Sequence, residues 1–419
     1  MRSVFIRRRL VAVALVAAVV AVALIALPPG SSPQAPASSP ASPTGGAAPV
    51  PARGDPAAAN RGGGSGGATS PASIAGRLTI RQLAGQRVIF AYQGLRPPRS
   101  LYSAIRAGEV GGIIFFSSNI GDVGRFRTVV HRLQRASLRS PLHDRLLMLT
   151  DQEGGDVRRL PGAPARSEKQ IGASSRAPAL AAGAGRAAGR NLAHAGINVN
   201  LAPVLDVFRT SGNFIDSFGR SYSSDPSVAG RLGARFISAQ QALGVAATAK
   251  HFPGLGAAAT AQNTDLRPVV LHIPLTQLRA VDEAPYRRAI AAGVRLVMTS
   301  WAVYPALVPR IPAGLSSAIV DGELRRRLGF RGVTITDALG AGALVRYGDI
   351  RNRAVLAAEA GNDLILGTSP GADSPRQDVA AVHALAAAIA DHRISLSEAR
   401  RSVARILALP RPRFAAPRP

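Results

Sequence analysis

Five apolar runs in this chain end in polar or charged residues, and those ends are where chemistry could be done. Leu146–Thr150 leads into Asp151-Gln152-Glu153-Gly154-Gly155, and other runs stop at Asp206, at Lys250-His251, at Ser300-Trp301 and at Asp337. One charged residue after such a run is most often a helix cap. Five in one chain exceed what capping explains. Asp, Lys, His, Arg and Trp together suit a polyhydroxylated ligand, because charged groups hydrogen-bond hydroxyls while an indole stacks on the apolar face of a ring. Cleaving a glycosidic bond would then need a carboxylate as nucleophile or base and a proton donor for the leaving oxygen. Other chemistries fit less well. The seven His are scattered and His251 has no second His at ligand spacing, so no metal site is expected. Gly154-Gly155 is too short to cradle a phosphate. Cys is absent, which excludes disulfides, thiolate metal sites and Cys nucleophiles. No metal or organic cofactor is implied.

Groups this far apart in sequence need a scaffold that gathers them. Short apolar runs recur at Arg87–Tyr92, Gly112–Phe116, Leu146–Thr150, Val199–Leu205, Ala246–Ala249, Arg295–Thr299, Val333–Thr336 and Asp363–Leu366. Helical stretches separate them: Ala177–Ala195, Ser227–Leu243, Asp282–Ala292 and Ser317–Leu328 are candidates, with Ala380–Ala390 and Leu396–Leu409 after the last run. Continuous apolar strands alternating with helices read as a parallel sheet covered on both faces. A count of eight favours closure into a single α/β barrel of the (β/α)8 TIM type over an open doubly wound sheet. In a barrel the carboxyl ends of the strands converge, so the polar run ends would meet.

The chain before the barrel is of another kind. Arg2 and Arg7-Arg8-Arg9 precede the uncharged apolar stretch Leu10–Leu27, the pattern of an export signal or a signal anchor over residues 1–27. Residues 28–73 are mostly Pro, Ala, Ser and Gly and read as a linker without a core of its own. The barrel is expected over 74–410, with a Pro-rich tail at 411–419. The expected location is extracytoplasmic, either secreted or held at the membrane through the N-terminal segment if that segment is uncleaved. The formal charge of +27 comes almost wholly from scattered Arg, Lys169 and Lys250 being the two lysines. No basic block or aromatic platform accompanies it, so no nucleic-acid partner is expected.

The motifs at the run ends carry a resemblance. Gly111-Gly112-Ile113-Ile114-Phe115-Phe116, Asp151-Gln152-Glu153-Gly154-Gly155, Asn198 through Asp206, Gly219-Arg220-Ser221-Tyr222, Lys250-His251-Phe252-Pro253-Gly254 and Gly332 through Leu339 occur in order. From about Ile80 to Leu409 the chain resembles the amino-terminal barrel of family 3 glycoside hydrolases, especially the bacterial single-domain β-N-acetylglucosaminidases. The resemblance implies that Asp337 is the catalytic nucleophile. It also implies that Asp151, Arg159, Arg220, Lys250 and His251 hold the hydroxyls of a β-linked amino sugar. A compact ammonium at Lys250, in a chain that writes nearly every cation as Arg, fits a specific contact.

The chain departs from that pattern in the loop after Lys250-His251. Relatives that cleave N-acetylglucosaminides carry an Asp-x-His pair there, the His being the general acid/base. Here Leu255 to Asp265 holds no His, and Asn263-Thr264-Asp265 falls on those positions. Asp265 is therefore the expected acid/base, with His272 or another group as the alternative. Asp156 stands where an Arg is usual. Glu153 reads as a helix-start carboxylate near a macrodipole, Asp206 as a group that caps or orients a neighbouring loop or else supports the site from behind, and Trp301 as pocket wall or core. The leading expectation is a retaining exo-β-N-acetylglucosaminidase acting on cell-wall or related glycans. A β-glucosidase or phosphorylase of the same family, or a silent glycan-binding barrel at the envelope, are the alternatives.

Overall fold

The computed structural model describes residues 70–367, 371 and 373–412. The apolar stretch Leu10–Leu27 and nearly all of the expected linker lie outside them. Within the expected linker, Ser70 caps a helix at Pro71–Arg77 by accepting from the Ser73 N–H, so helical structure is present before residue 74. Among the described residues no helix is long and apolar enough to cross a membrane.

Eight parallel strands run β1 (Val88–Phe90), β2 (Gly112–Ile114), β3 (Leu147–Thr150), β6 (Val199–Asn200), β7 (Ala246–Phe252), β8 (Leu296–Thr299), β9 (Val333–Thr336) and β10 (Ile365–Leu366). Between β3 and β6, β4 (Gln152–Gly154) and β5 (Val157–Arg158) pair as a small antiparallel hairpin. Each barrel strand pairs with the next in sequence, and β10 returns to β1. A parallel bridge between Ile335 and Leu364 joins the remaining two edges, closing the barrel.

Period-two alternation sorts the strand side chains. Ile89, Leu147, Leu149, Val199, Leu296, Val333, Ile335 and Leu366 fill the barrel as one buried cluster. Val88, Phe90, Ile113 and Met148 point the other way and pack with the helices. The helix Ala177–Ala195 buries Ala181, Ala184, Ala188, Leu192 and Ala195, the three-to-four spacing of one helical face. The helix Pro226–Gln241 starts with Pro at its first position, its N-terminal amides capped by Asp225.

Three stretches differ from their expected form. Val199–Leu205 is a regular strand only at Val199–Asn200; Pro203 can donate no ladder bond, yet the Ala202 and Pro203 carbonyls accept from the Thr248 and Lys250 N–H groups, and a bridge joins Val204 to Lys250. β7 runs longer than expected and carries Lys250 and His251 within the strand. The helix expected at Ser317–Leu328 is wound as a π-helix over Ala318–Arg327, its last bond running from Leu328 N–H to the Glu323 carbonyl.

Candidate active site

Asp151 follows β3 directly, and the hairpin folds Arg159 back over it. The Arg159 N–H donates to the Asp151 carbonyl at 3.1 Å and to the Gln152 side chain at 3.0 Å. The turn of this hairpin needs glycine at Gly154. Its φ is +124°, and a Cβ there would stand 2.3 Å from the Arg166 carbonyl oxygen.

Glu153 lies on β4 with its carboxylate 2% exposed. The expectation of a helix-start carboxylate is overturned, since Glu153 sits in a hairpin strand with no helix dipole to meet. It accepts both Nε and Nη2 of Arg220, each at 2.9 Å, and pairs with Lys250 Nζ at 2.7 Å. Lys250 Nζ also donates to Asp151 Oδ1 at 2.8 Å, and Arg159 Nε stands 3.8 Å from Asp151 Oδ2. Desolvation alone would raise the Glu153 carboxyl, but Arg220 and Lys250 outweigh it and bring it down to about 2. Burial would likewise lower the Lys250 ammonium, and Asp151 and Glu153 reverse that and raise it.

His251 is oriented by Asp206. Nδ1 bonds Asp206 Oδ2 at 2.8 Å, while Oδ1 accepts the N–H of His251 at 3.2 Å and of Leu255 at 2.7 Å. Asp206 is wholly buried and fills both expected roles, holding the loop at Leu255 and the ring of His251. Trp301 is core rather than pocket wall. It is 1% exposed, and its Nε1 donates to the Ala338 carbonyl at 3.0 Å, steadying the chain beside Asp337.

Asp337 ends β9, and its Oδ1 accepts from the Ala338 N–H at 2.7 Å. Asp265 reaches the same space from the long loop after β7. That loop is tied to the segment after β9: Gly342 N–H donates to the Asp265 carbonyl at 2.8 Å and Ala343 N–H to the Thr264 carbonyl at 3.0 Å. Asp265 is exposed as a residue, but its carboxyl faces the cavity. Its pKa is raised, first by desolvation and then by the charge of Asp337, with His251 and Arg220 pulling the other way.

One cavity of about 310 Å³ brings Asp151, Arg159, Arg220, Lys250, His251, Asp265 and Asp337 together. Glu153 lines it too, and Phe116, Leu201, Met298 and Leu366 supply an apolar wall. His272 lies exposed on a separate loop and is not part of this lining. Asp156 is exposed at the hairpin turn. No group of ligating side chains able to hold a metal ion occurs among the described residues.

A carboxyl group that the sequence left unremarked stands behind this cavity. Glu168 is 1% exposed, its Oε1 accepts from the Val204 N–H at 3.0 Å, and its Oε2 has no partner. Desolvation, then the charge of Glu153, push its pKa well up. Ser167-Glu168-Lys169-Gln170 reads as an ordinary capped helix start, and nothing local marks it as buried.

Paired acids and cations at the carboxyl ends of strands, inside a closed parallel barrel, define the class: an enzyme acting on sugars from the strand-end face of a TIM barrel. The chain matches the Glycosyl hydrolase family 3 N terminal domain over residues 77–409 and belongs to that family. It is a glycoside hydrolase. It is 45% identical over 328 residues to an uncharacterized secreted glycosyl hydrolase of Arthroderma benhamiae, a match covering 78% of this chain and 92% of that one. A beta-hexosaminidase of Thioalkalivibrio sulfidiphilus is 34% identical over 265 residues, 62% of this chain and 73% of its own. Among solved structures, a family 3 beta-N-acetylglucosaminidase from Paenibacillus sp. superposes with TM-score 0.73 at 36% identity, covering 79% of this chain and 62% of that one. The beta-N-acetylhexosaminidase of Beutenbergia cavernae gives 0.72 at 30% identity, covering 79% and 98%. The chain thus spans less than two thirds of the Paenibacillus protein and nearly all of the Beutenbergia one.

Proposed function

We propose that this protein is a retaining exo-β-N-acetylglucosaminidase that releases terminal β-linked N-acetylglucosamine from cell-wall or related glycans outside the cytoplasm. One observation carries the reading: Asp265, from the loop after β7, and Asp337, from the end of β9, share one cavity closely enough that the charge of Asp337 raises the proton affinity of Asp265. A retaining glycosidase needs that division, one carboxylate ionised and one carboxyl holding its proton.

In the first step an oxygen of Asp337 forms a bond to the anomeric carbon as the bond to the leaving oxygen breaks, and that oxygen takes the proton of Asp265. A covalent glycosyl-enzyme results. In the second step ionised Asp265 accepts a proton from water, the water oxygen bonds the anomeric carbon, and Asp337 is released as carboxylate. Asp151, Lys250, Arg159, Arg220 and His251 hold the ring hydroxyls; Asp206 fixes the ring of His251. The names of the relatives support an amino-sugar substrate, and the secreted relative supports export, with residues 1–27 as signal or anchor, 28–73 as tether, 74–410 as barrel and 411–419 as tail.

The test uses nitrophenyl N-acetylglucosaminide and nitrophenyl glucoside with the wild type, Asp337→Ala and Asp265→Asn. Hydrolysis of the amino sugar should exceed that of the glucoside. Asp337→Ala should lose it by a factor of about 10³ or more, and Asp265→Asn by about 10²–10⁴ with loss of the basic limb of its pH profile. Turnover surviving Asp337→Ala sinks the nucleophile, and an unaltered pH profile in Asp265→Asn sinks the acid.

A further inference from the structure

Asp282 is a wholly buried acid outside the catalytic cavity, at the end of the π-helical turn Leu278–Asp282. Its Oδ2 accepts from Arg209 Nη2, while Oδ1 has no partner among the other described residues. The charge of Asp206 reaches it, and the hydroxyls of Tyr286 and Tyr304 lie within reach of its own charge. Burial, only partly offset by Arg209, pushes the Asp282 carboxyl up to about 7. Its contribution to stability is thus fully present below the unfolded value of about 3.9 and is lost as pH rises through 7. Ionised Asp282 therefore weakens the fold, and groups displaced in this way gather at functional sites.

What the ion pair encloses supplies a reason for it. Gly254 closes the motif Lys250–Gly254 and opens the loop that carries Asp265. A Cβ on Gly254 would stand 2.8 Å from Asp282 Cβ, so Asp282 packs directly on the chain at that point. The Gly254 carbonyl also accepts from Tyr304 Oη at 2.9 Å. Two residues on, the Gly256 carbonyl accepts from the Arg209 N–H at 3.0 Å. One member of the pair thus holds the chain at Gly254 and the other at Gly256, and their side chains join the two holds. The segment after Arg209 continues the attachment. Phe214 N–H donates to the Ala258 carbonyl at 3.2 Å, and Thr260 Oγ1 to the Gly212 carbonyl at 3.0 Å.

We propose that Arg209 and Asp282 are positioning residues, whose ion pair latches the start of the loop after β7 and so sets where the Asp265 carboxyl stands. The proposal rests on the reading that Asp265 protonates the leaving oxygen. Neither residue lines the cavity, so both act through the loop and not on the substrate. With the latch broken, Asp337 keeps its place at the end of β9 while Asp265 loses its alignment. A displacement of about 1 Å is enough to forfeit much of the gain from proton transfer.

The experiment compares the wild type with Asp282→Asn, Arg209→Met, Arg209→Lys and Asp265→Asn at about pH 7.5, where Asp282 is largely ionised. Two substrates share one sugar. Dinitrophenyl N-acetylglucosaminide has a leaving group that departs without a proton, and the disaccharide of N-acetylglucosamine has one that needs it. In Asp282→Asn and Arg209→Met, kcat/KM should fall about tenfold on the disaccharide and stay within about twofold on the dinitrophenyl glycoside. Arg209→Lys keeps the cation and should recover most of the loss. Amide hydrogen exchange over residues 255–265 should quicken about tenfold in Asp282→Asn and Arg209→Met, with the barrel strands unchanged. Unchanged exchange in the loop overturns the latch. So does an equal loss on both substrates where Asp265→Asn shows an unequal one. An equal loss in Asp265→Asn itself sinks Asp265 as the acid instead. Loop exchange then decides the latch alone: faster exchange in both variants supports it, and exchange equal to the wild type overturns it.

Discussion

Glu153 neutralises two cations in a space that water does not reach, so its loss should be felt well beyond one contact. Glu153→Gln leaves Lys250 its contact with Asp151 and Arg220 only the more distant charges of Asp151 and Asp206, and should destabilise the fold by about 3–5 kcal/mol, read from denaturant unfolding at pH 7. The pH dependence has a definite sign. A carboxyl held at about 2 in the folded state, against about 4.3 when unfolded, contributes stability that is present above about 4.3 and is lost as pH falls toward 2. The gap between wild type and Glu153→Gln should therefore narrow as pH falls from 6 to 3. Glu168 has the opposite sign. Its folded pKa is raised, so its contribution is fully present below about 4.3 and is lost as pH rises through the folded value. Glu168→Gln keeps an acceptor for the Val204 N–H and cannot titrate, so it should gain on the wild type in unfolding free energy between pH 5 and pH 8. A constant difference would mean that Glu168 does not change its charge on folding. These two carboxyls also mark how far the site was legible. The positions that line the cavity stand at strand ends and inside motifs, where spacing and residue type speak. Glu153 stands in such a motif and lines the cavity, but its pairing with two cations, like the burial of Glu168, comes from what the fold packs against it, and neither spacing nor type carries that.

The loop after β7 delivers Asp265, and its shape depends on one close approach. A Cβ on Gly256 would stand 1.9 Å from the Val207 carbonyl oxygen, while the Gly256 carbonyl itself accepts from Asn213 Nδ2 at 2.7 Å and from the Arg209 N–H at 3.0 Å. Gly256→Ala must push this loop off the segment that holds Asp206. The cost should be about 1–3 kcal/mol in stability, with a fall in kcat of tenfold or more and a smaller change in KM, because the proposed acid moves while most of the proposed hydroxyl contacts remain. Steady-state kinetics beside unfolding of the same variant checks both. At this scale the sequence was a good guide to strand order and a poorer one to strand length. Val333–Thr336 is bounded as its apolar run predicts, but the run Val199–Leu205 contains Pro203, which keeps the composition of a strand and cannot donate to its ladder. The hairpin Gln152–Arg158 escaped because its strands are only two or three residues long. Their polar residues read as a binding motif, and a motif of that size is also a turn. The π-helical winding at Ala318–Arg327 has no counterpart in a periodicity argument, which sees only that the stretch is helical.

Closing the barrel requires the last strand to meet both its neighbours, and the charge cluster that secures this lies at the end of the barrel away from the proposed sugar site. Asp363, fully buried just before β10, accepts from Arg325 Nη2 at 2.6 Å, Arg405 Nη2 at 2.7 Å, Ser402 Oγ at 2.8 Å and the Thr334 N–H at 3.0 Å. Its carbonyl and that of Asn362 accept from the buried Arg87 at 3.2 and 2.7 Å, which ties the entry of β10 to the entry of β1. One carboxylate thus joins β9, β10 and the final helix Leu396–Leu407, elements drawn from both sides of the barrel seam. Desolvation would raise its pKa, but Arg325 and Arg405 outweigh that and lower it. Its stabilisation is therefore present above the ordinary value of about 3.9 and is lost as pH falls through the folded one. Asp363→Asn should cost about 3–5 kcal/mol, because two guanidinium groups lose the charge they were buried with. None of these groups lines the catalytic cavity, so at a temperature where the variant is folded its kcat and KM should stay within about twofold of wild type. A variant that loses activity while keeping its unfolding midpoint would place Asp363 in the chemistry. The converse result, a lower midpoint with intact kinetics, would separate the end of the barrel that closes the fold from the end that cleaves the sugar.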